Sequence, residues 1–282
     1  MQQRHSEQLQ EFLDRHARIA VLTGAGCSTA SGIPEYRDDD GEWKHARPVQ
    51  YADFLNSTAT RQRYWARSFS GWQRFNKAVP NLTHTALARL DEAGRINGLI
   101  TQNVDNLHRR AGSRGVIDLH GILDRVRCLS CEEISRRSNL QDRLRDANPD
   151  WVSVSGDARP DGDVELGPQA TDAFKVPDCV SCGGILKPDV VFFGETVPPE
   201  RVLQSQTLVA ESDALLVVGS SLMVFSGFRF VRQAHAAGKA IAILNRGKTR
   251  ADDLASLRIN DDCGVLLAAC SACSKDASGP FA

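Results

Sequence analysis

The sequence predicts an α/β fold, a parallel sheet covered by helices on both faces and interrupted by a smaller module. Three observations predict it. The apolar run "RIAVL" leads straight into "TGAGCSTASGIPEYR", Thr23 to Arg37, which reads as a buried strand feeding a glycine loop. Short apolar segments then alternate with helical patterns along most of the chain, the signature of a parallel sheet. From about Arg127 to Lys187 that alternation fails, and two C-x-x-C pairs stand in its place.

Composition agrees with this outline. A chain of 282 residues with 41% apolar and 24% charged residues can bury a full core, as one large domain or one large plus one small. The net charge of -1 argues against binding nucleic acid by bulk charge. No apolar run approaches the ~20 residues that span a bilayer, and "MQQRHSEQLQEFLDRHARI" lacks the apolar core of an export signal. A cytoplasmic protein without membrane attachment is therefore expected. In that compartment, cysteines paired as C-x-x-C favour metal or redox roles over disulfides.

Leu9, Phe12, Leu13 and His16 stand at helical spacing and predict an amphipathic helix before the first strand. Gly24 and Gly26 supply the G-x-G half of a Rossmann dinucleotide fingerprint, but Thr29 occupies the place of the third glycine. A second tight element, "SGIPEYR", follows where a helix would run on. Backbone amides at the two glycines would approach a pyrophosphate at a helix start. Residues 57–79 place Tyr64, Trp65, Phe69, Trp72 and Phe75 near helical spacing, an aromatic packing face with Gly71 as a candidate break. "THTALARLDEAG" predicts a helix closed by Gly94, with His84 capping or packing near its start. "NGLIT", "VDNLHRRAG", "VIDLHG", "DALLVVGSS", "FRFVRQAHAAG" and "KAIAILN" continue the strand and helix alternation. The expected organisation is a discontinuous Rossmann-like domain, residues 1–126 and 186–270, with a helical insertion at 45–80. A cysteine module occupies 127–185, and 271–282 form a disordered tail.

In open parallel sheets, ligands sit beyond the carboxyl ends of the strands. Four polar clusters fall there: "TGAG", "TQNVDNLH", "VVGSS" and "LNRG". Gln102, Asn103 and Asp105 follow a buried strand so closely that leaving them unpaired would be costly. Ser220 and Ser221 suit phosphate or ribose, and Asn245 a ribose hydroxyl. His120, at the end of "VIDLH", is a candidate general base. Cys128 and Cys131 with Cys179 and Cys182 suit a closed four-thiolate zinc site, the second pair backed by Gly183 and Gly184 as in a zinc knuckle. Cys270 and Cys273 form a third C-x-x-C, set aside because it lies at the start of the polar tail without a glycine knuckle. Neither main pair opens a thioredoxin-like helix, which disfavours redox catalysis.

"GAGCSTASGIPEYR", "TQNVDNLH", "LHG", the two C-x-x-C pairs, "LKPDVVFFGE" and "VVGSS" occur in this order. The set resembles the sirtuins, NAD-dependent protein lysine deacylases, over roughly Ile19 to Cys270. Tyr36 in "GIPEYR", "RQRYWAR", the insert with "PDGDV" and "AILNRGKTRADDLASL" look most like the class II branch. Cys27 departs from the usual aliphatic residue, and Glu35 stands where aspartate is commoner. The resemblance implies that NAD is a co-substrate contacted by Gly24, Ala25, Gly26, Thr29, Glu35, Tyr36, Arg37, Gln102, Asn103, Asp105, Gly219, Ser220, Ser221, Asn245 and Cys263. It also implies one structural Zn2+.

By the same resemblance, "SGIPEYR" folds the nicotinamide into a separate pocket, with Tyr36 and Arg37 beside the ribose and Asp105 on the carboxamide. The acyl-lysine oxygen attacks the ribose as nicotinamide leaves. His120 then acts as base on the ribose hydroxyls, with Gln102 and Asn103 orienting ribose and water, and O-acyl-ADP-ribose and free lysine are released. The acyl-lysine peptide is expected to add as a strand between "VFFGE" and "SLMV", contacting Val191, Phe192, Phe193 and Gly194; Phe192 suits a core position equally well.

Tyr64 and Arg67 share a helix face one turn apart, and a similar pair receives the acyl carboxylate in desuccinylating sirtuins. The expectation is a preference for glutaryl-type acyl groups, with a surface Arg67 and a lipoyl or long-chain preference as the other reading. A mono-ADP-ribosyltransferase remains open. Asn103, Asp105 and His120 count against a non-catalytic NAD sensor, and the missing basic excess counts against a zinc-dependent nucleic-acid binder. Oligomeric state is not legible.

Overall fold

The computed structural model describes residues 2–44, 48–151 and 159–164, and 171–273 with the backbone alone for the last three. Parts of the expected insertion (45–47), of the Pro/Gly/Asp-rich stretch (152–158 and 165–170) and of the expected tail (274–282) lie outside the described residues.

The sheet is built on β1 (Ile19–Thr23), buried along its whole length. Such strands read as unbroken apolar runs because helices cover both faces. β1 pairs in parallel with β2 (Ile96–Thr101), which pairs with β3 (Val116–Asp118). On its other side come β7 (Ala214–Val218), β8 (Ala240–Leu244) and β9 (Leu257–Ile259), all parallel. The order β3-β2-β1-β7-β8-β9 reverses direction between β1 and β7. That is the switch point at which an open α/β sheet opens a crevice beyond its strand ends.

Side chains alternate across β1 with a period of two. Ile19 and Val21 pack with Leu9 and Leu13 of α1 (Gln2–Arg15), Leu87 and Leu90 of α4 (Leu82–Glu92) and Leu266 and Leu267 of α9 (Cys263–Cys273). Ala20 and Leu22 face Val209 of α7 (Pro199–Glu211) and Phe230 and Val231 of α8 (Phe225–Ala236). Gly94, at φ 69°, closes α4. The amide of Arg95 donates to Leu90 and that of Gly94 to Asp91, the two bonds of a Schellman ending.

Several expectations need correction. His16 lies just past α1, its ring 4.8 Å from Phe12. "VDNLHRRAG" yields only one helical turn, α5 (Leu107–Arg110). α9 runs through Cys270 to Cys273, so the third C-x-x-C is helical and the expected tail begins as helix. Cys270 is a core residue there.

A second, antiparallel sheet holds β4 (Gly121–Cys128) between β5 (Ile134–Arg136) and β6 (Leu186–Val190). β4 crosses the expected boundary at 126 and β6 begins at the one at 186, so the module's sheet grows directly out of segments that line the crevice. Against it pack α6 (Arg137–Ala147), α2 (Tyr51–Asn56) and α3 (Thr58–Phe75). The aromatic face of α3 is core, with Trp65 fully buried among Val126, Leu140 and Leu186. Gly71 does not break α3. A Cβ there would come 2.5 Å from the Gly162 carbonyl oxygen, so this glycine lets residues 159–164 lie directly on the helix. Among the described residues no helix is long and apolar enough to cross a membrane.

Candidate active site and metal centre

The glycine loop is stitched to the end of β7: the amide of Gly24 donates to Val218 and that of Gly26 to Gly219. A Cβ on either glycine would come within 2.9 Å of the Gly219 carbonyl oxygen, so this approach excludes side chains. The chain then makes two 3-10 turns, Ala25–Cys27 and Thr29–Ser31, and leaves through Gly32 at φ 81°. The second turn ends on Ser31, where "SGIPEYR" begins, so tight turns stand where a long helix would run on.

A cavity of about 510 Å³ opens over the switch point. Gly24, Ala25 and Gly26 line it after β1, and Gln102, Asn103 and Asp105 after β2. Gly219, Ser220 and Ser221 line it after β7, and Asn245 after β8. All four polar clusters therefore meet at one edge. Glu35, Tyr36 and Arg37 join from the second element, where Arg37 lies 4.1 Å over the Trp43 ring and donates to the Gly41 carbonyl at 2.6 Å. Thr29 and Cys263 are placed elsewhere. Thr29 is exposed, its hydroxyl donating back to Gly26, and Cys263 sits in the sheet core with its thiol toward the Leu244 carbonyl.

The polar groups after β2 form one network. Gln102 Nε2 donates to Ser220 Oγ at 2.7 Å, and Asn103 Nδ2 to the Gly24 carbonyl and to Ser28 Oγ. Ser28 Oγ donates to Asp105 Oδ2 at 2.6 Å, and the Leu107 amide to Asp105 Oδ1 at 2.9 Å. Burial pushes the Asp105 carboxyl up, against these two donors. His84 takes the capping role expected of it: its Nδ1 accepts from the Asn81 amide at the start of α4.

His120 lies in the turn between β3 and β4, two residues past the strand that was expected to end on it. Its Nδ1 is 2.9 Å from the Gln102 carbonyl oxygen, an acceptor only, so Nδ1 carries the proton. Nε2 then presents its lone pair into the cavity, where Ser226 Oγ approaches at 2.8 Å. Burial holds the imidazole down to about 4, opposed by the Gln102 bond and assisted by Arg201 and Arg229. Gly121, at φ 85°, lets the turn pass against Asp189 of β6.

Burial likewise lowers His84 to about 4 and His108 well below its usual value. All three rings are neutral when folded, whereas in the unfolded chain they protonate near pH ~6.5. Below that pH the unfolded state binds more protons, so stability is full above ~6.5 and is lost as pH falls toward 4. On the order of 3 kcal/mol is at stake for each of His84 and His120. Urea midpoints should fall clearly between pH 7.5 and pH 5; a midpoint independent of pH contradicts the neutral assignment.

Tyr64, Val191, Phe192, Phe193 and Gly194, expected to meet the substrate, all line the cavity. Phe192 lines the cavity while its ring packs 5.1 Å from Phe54 and 5.2 Å from Tyr64. Phe193 turns the other way, onto Tyr36 and Trp43.

Arg67 does not reach the cavity, contrary to expectation. Its guanidinium pairs with Asp163 at 2.9 Å and donates to the Val164 carbonyl at 3.0 Å. Burial and the adjacent Asp161 push the Asp163 carboxyl up to about 8, even with Arg67 pulling it down. Arg67→Ala should therefore leave the ratio of kcat/KM for glutaryl and acetyl peptides unchanged and cost about 2 kcal/mol of stability, as when a buried polar group loses its partner. A collapse of that ratio in the variant would restore Arg67 to the acyl site.

Sequence reasoning missed Asp161, Ser226 and Arg229, which all line the cavity. The "PDGDV" wording marked the insert but not where it folds, and no spacing shows that the first turn of α8 faces His120.

The four cysteines converge at the far end of β4 and β6. Their Sγ atoms all lie within 4.8 Å of one another, with Cys128 and Cys182 at 3.5 Å and Cys131 and Cys179 at 3.8 Å. A tetrahedron with zinc–sulfur bonds of ~2.3 Å has edges of ~3.8 Å. The donor set and its size fit Zn2+, with four thiolates and no position left for a catalytic water. Gly184 makes the turn possible, since a Cβ there would sit 2.8 Å from Cys128 Sγ. Among the described residues no other group of three metal-ligating side chains is drawn together in this way.

Residues 24–226 match the Sir2 family model. An NAD-dependent protein deacetylase of Xanthomonas campestris pv. campestris (strain 8004) is 56% identical over 92% of this chain and 89% of its own. The human NAD-dependent protein lipoamidase sirtuin-4, mitochondrial, is 50% identical over 93% of this chain and 84% of its own. A solved structure of Sir2 with a p53 peptide and NAD+ superposes with a TM-score of 0.75 at 29% identity, covering 93% of this chain and 95% of that one. Sheet order, crevice, cysteine cluster and sequence thus agree, and the chain belongs to the Sir2 family.

Proposed function

We propose that this protein is an NAD-dependent protein lysine deacylase, releasing nicotinamide and O-acyl-ADP-ribose from NAD and an acyl-lysine protein or peptide. The observation that carries the reading is the convergence of His120, the Gln102–Asn103–Asp105 network and the Val191–Gly194 segment on one cavity at the switch point. NAD, when bound, supplies a ribose carbon that becomes electrophilic as nicotinamide departs. The chain's own groups do the rest. Backbone around Gly24 and Gly26 and the hydroxyls of Ser220 and Ser221 suit the phosphates and ribose, and Asn245 the second ribose. Asp105, positioned by Ser28 and the Leu107 amide, suits the carboxamide. His120 is neutral, with its Nε2 lone pair in the cavity, and takes the ribose hydroxyl proton; Asn103 orients ribose and water. The remaining assignments belong to the same reading: a Rossmann-like domain at 1–126 and 186–270, a zinc module at 127–185, and work in the cytoplasm without nucleic acid.

The acyl group is read from the same wall. With Arg67 engaged by Asp163, the acyl side offers Tyr64 and Phe192 as aromatic surfaces and Asp161 as an acid. That environment favours neutral acyl chains, acetyl or lipoyl, over carboxylated ones. The test is a panel of acetyl, lipoyl and glutaryl peptides incubated with NAD, following nicotinamide release and peptide mass. Acyl-dependent nicotinamide release with loss of the acyl mass is expected. A gain of ADP-ribose on peptide or protein, with the acyl group retained, would establish the transferase reading instead.

A further inference from the structure

Among the described residues His120 has one side-chain hydrogen-bond partner. Ser226 is the second residue of α8, and its Oγ lies 2.8 Å from Nε2. Because Nδ1–H is committed to the Gln102 carbonyl, the serine hydroxyl donates to Nε2 while the ring is neutral. The placement depends on the next residue. A Cβ on Gly227 would come 2.4 Å from Gln102 Oε1, so glycine leaves room for the Gln102 side chain against the first turn of α8.

The surroundings explain why a hydroxyl matters there. Arg201 and Arg229 are the charges that bear on the ring, and both disfavour its protonated form, as does burial. Among the described residues the ring's hydrogen-bond partners are the Gln102 carbonyl and Ser226, with no carboxylate. A hydroxyl donates to the neutral ring and accepts from the protonated one.

We infer that Ser226 is a positioning residue for His120, holding the Nε2 lone pair before reaction and accepting a hydrogen bond from Nε2–H once the ring is protonated. This rests on the deacylase reading. The ribose hydroxyl proton passes to Nε2, while the oxygen keeps the bonding pair and attacks the acyl carbon, whose carbon–nitrogen π pair passes to the lysine nitrogen. As that oxygen becomes bonded it ceases to be a good acceptor, and Ser226 Oγ takes over the new N–H.

The consequence is a split between steps. Breaking the bond to nicotinamide needs no base, so exchange of labelled nicotinamide into NAD in the presence of an acetyl-lysine peptide should fall less than about 2-fold in Ser226→Ala. Deacetylation of the same peptide should fall about 10-fold, the scale of one hydrogen bond to a charged group. Ser226→Thr, which keeps the hydroxyl, should recover most of the loss. An equal fall in both rates, no fall in deacetylation, or a failure of threonine to rescue a well-folded protein would overturn the assignment. If wild-type protein deacetylates and Ser226→Ala matches it, only this inference fails; if wild-type protein does not deacetylate, the reading beneath it fails.

Discussion

His120→Ala is expected to slow acyl transfer by ~10²–10⁴, the usual range for loss of a general base, with NAD binding largely intact. The ring sits at the carboxyl end of the sheet, is held by the Gln102 carbonyl, and is kept neutral by burial. It therefore needs no deprotonation before it acts, at any pH above about 5. The residues proposed for NAD come from other strand ends, and none hydrogen-bonds through the imidazole except Gln102 by its backbone carbonyl. Comparing NAD affinity by calorimetry with turnover of an acetyl peptide checks the separation. Near-normal turnover in the variant would remove His120 from the chemistry, and loss of NAD affinity alone would make it a binding residue.

Cys128→Ser is expected to remove the metal and with it much of the smaller module. Metal binding by four thiolates contributes on the order of ten kcal/mol in small zinc modules. Cys128 ends β4, opposite Leu186 of β6, while the other end of the same pairing is Gly121 against Val190. Those near ends continue directly into His120 on one side and Val191–Gly194 on the other, so the thiolate site clamps the two strands that lead to these cavity residues. Soluble yield and activity should fall together, through loss of fold. Zinc measured per chain should be absent after Cys128→Ser and one after Cys270→Ser; the reverse result contradicts the assignment.

The sheet was legible because strands covered on both faces must be apolar almost throughout, and "IAVL" and "ALLVV" are. The cavity was legible because four polar clusters follow such strands, all at the carboxyl edge where an open parallel sheet binds its ligands. Cys128, Cys131, Cys179 and Cys182 were legible from chemistry, although their long separation hid how β4 and β6 bring them together. What stayed hidden depends on segments distant in the chain. Gly71 resembles a helix break until residues 162 and 163 are found lying on it. Arg67 resembles a substrate receptor until Asp163, 96 residues on, claims it. Thr29 and Cys263 have the right sequence neighbours, but their side chains leave the crevice. Ser226 is an ordinary serine after an apolar segment until α8 is docked.

Acyl transfer to the nucleotide is the central claim, and a peptide carrying a 13C-labelled acetyl-lysine tests it directly. After incubation with NAD and wild-type protein, mass spectrometry should find the labelled acetyl group on ADP-ribose, in amounts equal to the nicotinamide released and to the free lysine peptide formed. Labelled acetate released without nicotinamide, or nicotinamide released while the label stays on the peptide, would contradict the account.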